Sequence, residues 1–400
     1  MSTRALVGSA VAVVGVAVLS VLAVGAVRAS DAPSARCGDG AAAGVRCPSD
    51  EAADEPTTSD VPGDRVATTT VPPAVAGSGD EVAVRLDLPP APDPERPATL
   101  LPLTEPSPSL PNPFVLVDGD RYLMFTTEAR DAVGAKQNVP VLESPDLDTW
   151  RFVRDALPTV GEWAVPEATW APDVARIGDD WILFYTARVA DLDPPTQCIG
   201  AAVGAAPEGP YQPQPEPIVC QLDRGGSIDP RTYRDRDGTW WLHWKSDDNR
   251  EVDGTATSTI HAQRLSATGV GLVGEPAAVL EVTQPWEGRI VEAPHLIEAG
   301  GRLWLFYSAN WFNQPAYGIG VAVCDTPVGP CAKPFPGPWL SSNAQGEGPG
   351  EGSLFLDRRG RWRLVYSPVA QQYRAETDRP VALATVGFDD LGPYLADPAG

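Results

Sequence analysis

The chain has 400 residues and a formal net charge of −23, with three Lys beside twenty-seven Arg. So acidic a protein repels nucleic acid and anionic lipid, which argues against both as partners and suits a neutral ligand such as a sugar. Four hundred residues also exceed what one small core organises, and the composition changes along the chain.

At the N-terminus, Arg4 precedes an apolar run from Ala5 to Val27, and Val27-Arg28-Ala29 resembles a small-residue cleavage site. Residues 1–29 therefore read as a cleaved signal peptide or an uncleaved membrane anchor, since the run is long enough to span a bilayer. Either way the rest of the chain is expected outside the cell or anchored at its surface, touching membrane only through this helix. Residues 30–105 are Ala, Pro, Thr, Ser and Asp with almost no aromatics, and carry fourteen acids and five Arg. Such a segment cannot bury enough apolar surface to offset chain entropy and is expected to be a disordered linker. The six cysteines form three local couples, Cys37 with Cys47, Cys198 with Cys220 and Cys324 with Cys331. Outside the cell each couple is expected to be oxidised. No cysteine spacing matches a zinc site, and three His leave little for metal binding.

Residues 106–400 repeat themselves. Five segments share a small or acidic start, an alternating run, a turn and an aromatic-rich strand. They begin Asn112-Pro-Phe-Val-Leu, Ala171-Pro-Asp-Val-Ala, Asp229-Pro-Arg-Thr-Tyr, Ala293-Pro-His-Leu-Ile and Gly352-Ser-Leu-Phe-Leu. The equivalent positions Pro113, Pro172, Pro230, Pro294 and Ser353 lie 59, 58, 64 and 59 residues apart. Each unit reads as a hairpin, because Asp-Gly, Gly-Asp or Gly-Gly separates two alternating strands in most of them. Pro207-Glu-Gly-Pro210 and Pro327-Val-Gly-Pro330 echo one another two periods apart. A blade-sized β unit repeated five times buries its faces only by closing into a ring, so the fold predicted is an all-β five-bladed propeller.

In such a ring the starts of the five inner strands converge on one funnel. Those starts hold Asn112, Ala171 with Asp173 after it, Asp229, Glu292 and Glu351. Carboxylates are costly to bury, so placing them at equivalent points suggests chemistry or ligand binding, the alternative being hydrogen bonds to backbone amides across blades. Flanking aromatics Trp163, Trp286 and Trp311 offer either sugar stacking or packing between blades. His295, beside Glu292, is expected to be structural.

At these residues a resemblance emerges. Ser227-Ile-Asp-Pro, Val291-Glu-Ala-Pro-His, Trp170-Ala-Pro-Asp and Tyr307-Ser-Ala-Asn-Trp resemble the blade signatures of family 43 glycoside hydrolases, over roughly Leu110 to the C-terminus. The resemblance implies a five-bladed propeller that cleaves arabinose- or xylose-containing glycans with inversion. By position it implies Glu292 as general acid and Asp229 as the aspartate that tunes it. It implies Trp170 and Asp173 in the sugar subsite, with Lys245 a further sugar-binding candidate. Where the family's first blade has its base Asp, this chain has Asn112, and a carboxamide takes no proton from water at neutral pH. Glu167, Asp173 and Glu351 are the carboxylates placed to substitute. The alternative is a carbohydrate-binding protein without turnover. Glu351 stands where the family often has a His associated with a central metal; it is a substrate-binding candidate that could also hold a central cation or fill the channel through a hydrogen bond, and no metal or other cofactor is predicted. A polysaccharide or oligosaccharide is the expected partner, and the protein is expected to act as a monomer.

Overall fold

The computed structural model of the protein describes residues 99–100, 109–127, 129–130, 135–250, 254–343, 346–369 and 379–396. The expected N-terminal helix and the Cys37/Cys47 couple lie outside them. Among the described residues no helix is long and apolar enough to cross a membrane.

Among the described residues five antiparallel blades follow one another along the chain, each beginning with its inner strand, and a small sixth sheet pairs Ala129–Arg130 with Lys136–Gln137. The first blade holds Phe114–Asp118, Arg121–Phe125, Pro140–Ser144 and Arg151–Asp155. The second holds Ala164–Ile177, Asp180–Val189, Gln197–Gly204 and Gln212–Pro213. The third holds Ser227–Arg234, Trp240–Ser246, Thr259–Leu265 and Leu272–Glu281. The fourth holds Val291–Ala299, Arg302–Ala309, Gly318–Cys324 and Cys331–Ala332. The fifth holds Glu347–Leu356, Trp362–Val369 and Ala382–Asp389. Two segments share its outer edge: Gly392–Ala396 pairs with one end of Ala382–Asp389, and Thr99–Leu100 pairs with Leu383 and Ala382. The fifth blade thus draws on residues N-terminal to position 106.

The turns between first and second strands are made by Gly119, Gly178, Gly238, Gly300 with Gly301, and Gly360, all at positive φ. Only glycine takes that conformation without a steric penalty, which explains the residue recurring at each period. Core side chains gather in five clusters, one between each pair of neighbouring blades. The ring closes through the cluster of Leu110, Val115, Tyr122 and Met124 from the start with Phe355, Val365, Val381 and Leu383 from the end. Both expected disulfides within the propeller are formed, Cys198–Cys220 and Cys324–Cys331. The echoed Pro-Glu-Gly-Pro and Pro-Val-Gly-Pro turns share one conformation, each with a cis Gly–Pro bond.

Because inner strands run away from the end at which they start and second strands return to it, that end collects the inner-strand starts, the loops after each second strand and the connections between blades. The distant end carries the turns between first and second strands and the connections between third and fourth strands.

Candidate active site

Asn112, Ala171, Asp229, Ala293 and Glu351 all have left-handed backbone, with φ of 52°, 48°, 58°, 46° and 58°. They occupy the same place in successive blades, and in the second to fifth the strand register shifts there. For an L-residue this conformation costs roughly 1–2 kcal/mol. What offsets it is a ring of hydrogen bonds, because the twist turns each N–H out of its own ladder and toward the preceding blade. Ala171 N–H donates to Thr127 Oγ1 (3.2 Å), Asp229 N–H to Thr186 Oγ1 (3.0 Å) and Ala293 N–H to Asp229 Oδ2 (2.9 Å). Glu351 N–H donates to Ser308 Oγ (2.8 Å), and Asn112 N–H to Glu351 Oε2 (3.0 Å), completing the circuit. A hydroxyl accepts in three places and a carboxylate in two.

The break in the hydroxyl pattern is informative. Thr126, Thr186, Ser308 and Ser367 each follow the aromatic residue near the end of a second strand; in the third blade that place holds Lys245. Lys245 is 2% exposed, with Nζ 2.9 Å from Asp247 Oδ1 and 3.1 Å from Glu292 Oε2. Burial opposes its charge, but Glu292, Asp247 and Asp229 together hold its pKa above the ordinary Lys value. Glu292, one residue before the left-handed position of its blade, also accepts from the Tyr317 hydroxyl at Oε1 (2.7 Å). Burial, then Glu292 and Glu351, raise Tyr317 well above an ordinary phenol, so it remains a donor. Asp229 is buried beside the same pair. Burial, followed by the Glu292 carboxylate, pushes it up to about 7 against the pull of Lys245 and the Ala293 N–H. Asp229 and Glu292 thus sit side by side with Lys245 as their shared cation, a combination suited to acid–base work near neutral pH.

Glu351 lies on the other side of this group. Burial raises its pKa, while Arg379 and the Asn112 N–H pull it back. Arg379 Nε is 3.7 Å from Glu351 Oε2. The rest of that guanidinium is anchored to the carbonyls of Gly348 (3.0 Å), Ser367 and Phe312, and it lies over the Tyr317 ring. The Asn112 side chain accepts from Thr127 Oγ1 at 2.7 Å through Oδ1. Lys245 therefore touches Glu292 and Asn112 touches Glu351, while Asp229 and Glu351 both lie close enough to Glu292 to feel its charge. Trp170, half-buried, precedes the left-handed Ala171.

Asp173 does not join them. It is 1% exposed and accepts from Arg231 Nη1 (3.2 Å), Thr232 N–H (3.0 Å) and Thr232 Oγ1 (2.6 Å). Lying two residues beyond the left-handed position, it shares a second, lower layer with Phe114, Arg231, His295 and Ser353. Arg231 covers the Phe114 ring in that layer, and His295 Nδ1 accepts the Leu354 N–H. Burial, then Arg231 and His243, keep His295 neutral. The residues present do not fit a central cation, because Arg379 sets a fixed positive charge beside Glu351 and His295 Nδ1 is already engaged. Glu167 is exposed; its N–H donates to Asn138 Oδ1 and its carbonyl accepts from Lys136. Trp163 stacks on Tyr185, and Trp286 donates to Gln284 and packs on Tyr307, so both serve packing. Trp311 is 43% exposed and Phe312 45%, on the loop that ends at Tyr317.

Tyr317 and Arg379 were not legible as site residues. Both come from loops after second strands, where the repeat has no phase to align.

Asp229→Asn tests the electrostatics. The amide oxygen still accepts the Ala293 N–H, but the buried charge is gone. Because the folded pKa, about 7, lies above the 3.8 of an unperturbed Asp, the ordinary residue's contribution is fully present below pH 3.8 and lost as pH rises through 7. The variant is expected to melt higher than the parent by roughly 3–8 °C at pH 8, with the gap closing toward pH 4. Thermal melts across that range check it; a gap independent of pH contradicts it.

A family model described as glycosyl hydrolases family 43 matches residues 107–392. Xylosidase/arabinosidase 43A from Humicola insolens is 38% identical over 80 residues, spanning 20% of this chain and 22% of that protein. A thermostable family-43 glycoside hydrolase of known structure superposes with a TM-score of 0.64 at 27% identity, covering 75% of this chain and 96% of its own. An endo-1,4-β-xylanase from Bacteroides thetaiotaomicron superposes with a TM-score of 0.60 at 25% identity, covering 76% and 97%.

Proposed function

The chain belongs to glycosyl hydrolases family 43, and from that premise we propose that it is an exported enzyme cleaving xylose- or arabinose-containing glycans with inversion at the anomeric carbon. The observation that carries the reading is Glu292, held by Lys245 and Tyr317 on its two oxygens and flanked by the buried Asp229. In this reading protonated Glu292 donates to the leaving glycosidic oxygen while water attacks the opposite face of the sugar. Tyr317 suits that cycle, since a phenol hydroxyl can donate to the carboxylate and accept from the carboxylic acid. Asp229 sets a second buried carboxyl group beside Glu292, the neighbour that a general acid of this kind works against. Trp170 and the exposed faces of Trp311 and Phe312 offer apolar platforms for neutral sugar rings. The pentose specificity is supported by the xylosidase/arabinosidase and xylanase relatives, and an oxidising location by the two disulfides.

The second reading, a glycan-binding protein without turnover, is favoured by Asn112, which has no carboxylate to activate water. Purified protein incubated with xylo- and arabino-oligosaccharides and followed by proton NMR distinguishes them. The first sugar released is expected to be the anomer opposite to that of the substrate. Release of the same anomer overturns the inverting mechanism, and binding of these glycans with no release establishes the second reading.

A further inference from the structure

We propose that Glu351 is the general base of this reaction, taking over from the first blade the role that Asn112 cannot perform; the inference rests on the hydrolase reading above. Asn112 and Glu351 hold equivalent places in blades that meet where the ring closes, both with left-handed backbone. The Asn112 N–H is bonded to Glu351 Oε2 at 3.0 Å, so the fifth-blade carboxylate reaches across to the first-blade position. Its other oxygen, Oε1, takes no hydrogen bond from any described residue. It is not among the buried atoms lacking partners, and the side chain is 11% exposed, so Oε1 is open to water.

The neighbouring carboxylates are committed elsewhere. Glu292 accepts on both oxygens, and Asp229 accepts the Ala293 N–H beside Lys245. Asp173 is enclosed by Arg231 and Thr232 in the lower layer. A base must be ionised before it can take a proton, and the Arg379 guanidinium favours ionised Glu351. Arg379 Nε is buried without a hydrogen bond, leaving its charge to act on Glu351. Asn112 Nδ2, a donor with no partner among the described residues, is free to donate to a water.

The step balances without a further reagent. Glu351 Oε1 removes a proton from water as the water oxygen bonds to the anomeric carbon. The glycosidic carbon–oxygen bond breaks, its electron pair stays on the leaving oxygen, and that oxygen takes the proton of Glu292. Exchange with bulk water then deprotonates Glu351 and reprotonates Glu292.

The test compares the parent, Glu351→Gln, Glu351→Ala and Asn112→Asp on an aryl pentoside with an activated leaving group and on a pentose oligosaccharide. Base removal slows attack whatever the leaving group, so both Glu351 variants are expected to lose about 10²- to 10⁴-fold in kcat on both substrates. Sodium azide should restore Glu351→Ala on the aryl substrate, yielding a glycosyl azide of inverted configuration. It should not accelerate the parent. Asn112→Asp exchanges an amide donor for a second carboxyl beside Glu351 and is expected to lower kcat on both substrates rather than raise it. Glu351→Gln keeps an acceptor for the Asn112 N–H and carries the test if Glu351→Ala loses its cooperative melt. An active parent whose Glu351→Gln stays within about tenfold, below the range of base catalysis, overturns the assignment and leaves the hydrolase reading standing. A hundredfold gain in Asn112→Asp overturns it too. A parent inactive on every pentoside overturns the hydrolase reading itself.

Discussion

Glu292→Gln is expected to lower turnover of unactivated pentose glycans by about 10²- to 10⁴-fold, the usual worth of a positioned general acid. The loss should shrink sharply on aryl pentosides whose leaving group departs without a proton. The contrast between substrates is the useful readout, since a misfolded variant loses both activities. Folding should survive, because the amide oxygen still accepts a bond and the Tyr317 hydroxyl can accept from the amide NH₂. Binding of an oligosaccharide, measured by calorimetry, should change little. Equal losses on both substrate classes would remove Glu292 from the acid role.

Lys245→Met is expected to produce the largest loss of stability among single substitutions at the site. Methionine matches the stem but leaves Glu292, Asp247 and Asp229 buried without their shared cation. Removing one partner from a buried ion pair costs about 3–5 kcal/mol, a fall in Tm on the order of 10 °C for a domain of this size. The pH dependence identifies the cause. Without Lys245 the remaining carboxylates repel one another, and protonation relieves them, so the melts of variant and parent should converge as pH falls toward 4. A deficit that stays constant from pH 8 to pH 4 would mean that Lys245 acts by packing alone. Lys245→Arg is no substitute, because a planar guanidinium does not fit the space between Asp247 and Glu292 as a compact ammonium does.

Much of this was readable before the structure, and the limits have physical causes. The period near sixty residues carried the fold, because each hairpin needs a glycine turn and an inner-strand start in the same phase. Asp229, Glu292 and Glu351 were visible for the same reason. Lys245 was visible only as a candidate, yet its contrast with Thr126, Thr186, Ser308 and Ser367 at the same phase marked it as the exception in a run of hydroxyls. Asp173 looked equivalent to the others because it also follows an inner-strand start. The left-handed twist at Ala171 sets the facing of each residue after it, and two steps on the side chain belongs to the lower layer with Arg231 and His295. Hydrophobic patterning carries no signal for a twist of one residue. Tyr317 and Arg379 come from loops outside the repeat, so only three-dimensional contact reveals them.

The circuit of amide bonds between blades has a consequence for how such a protein changes over generations. Asp229 and Glu351 each fasten one blade to the next through a backbone N–H, whatever they do for substrate. A lineage that abandoned hydrolysis would still need an acceptor oxygen, carboxylate or amide, at both places, since a side chain without one opens a seam. Glu292 fastens nothing of this kind; among the described residues its side chain meets Lys245 and Tyr317. Among sister sequences, its identity, rather than the presence of acids around the ring, is therefore the marker that separates working enzymes from descendants that only bind.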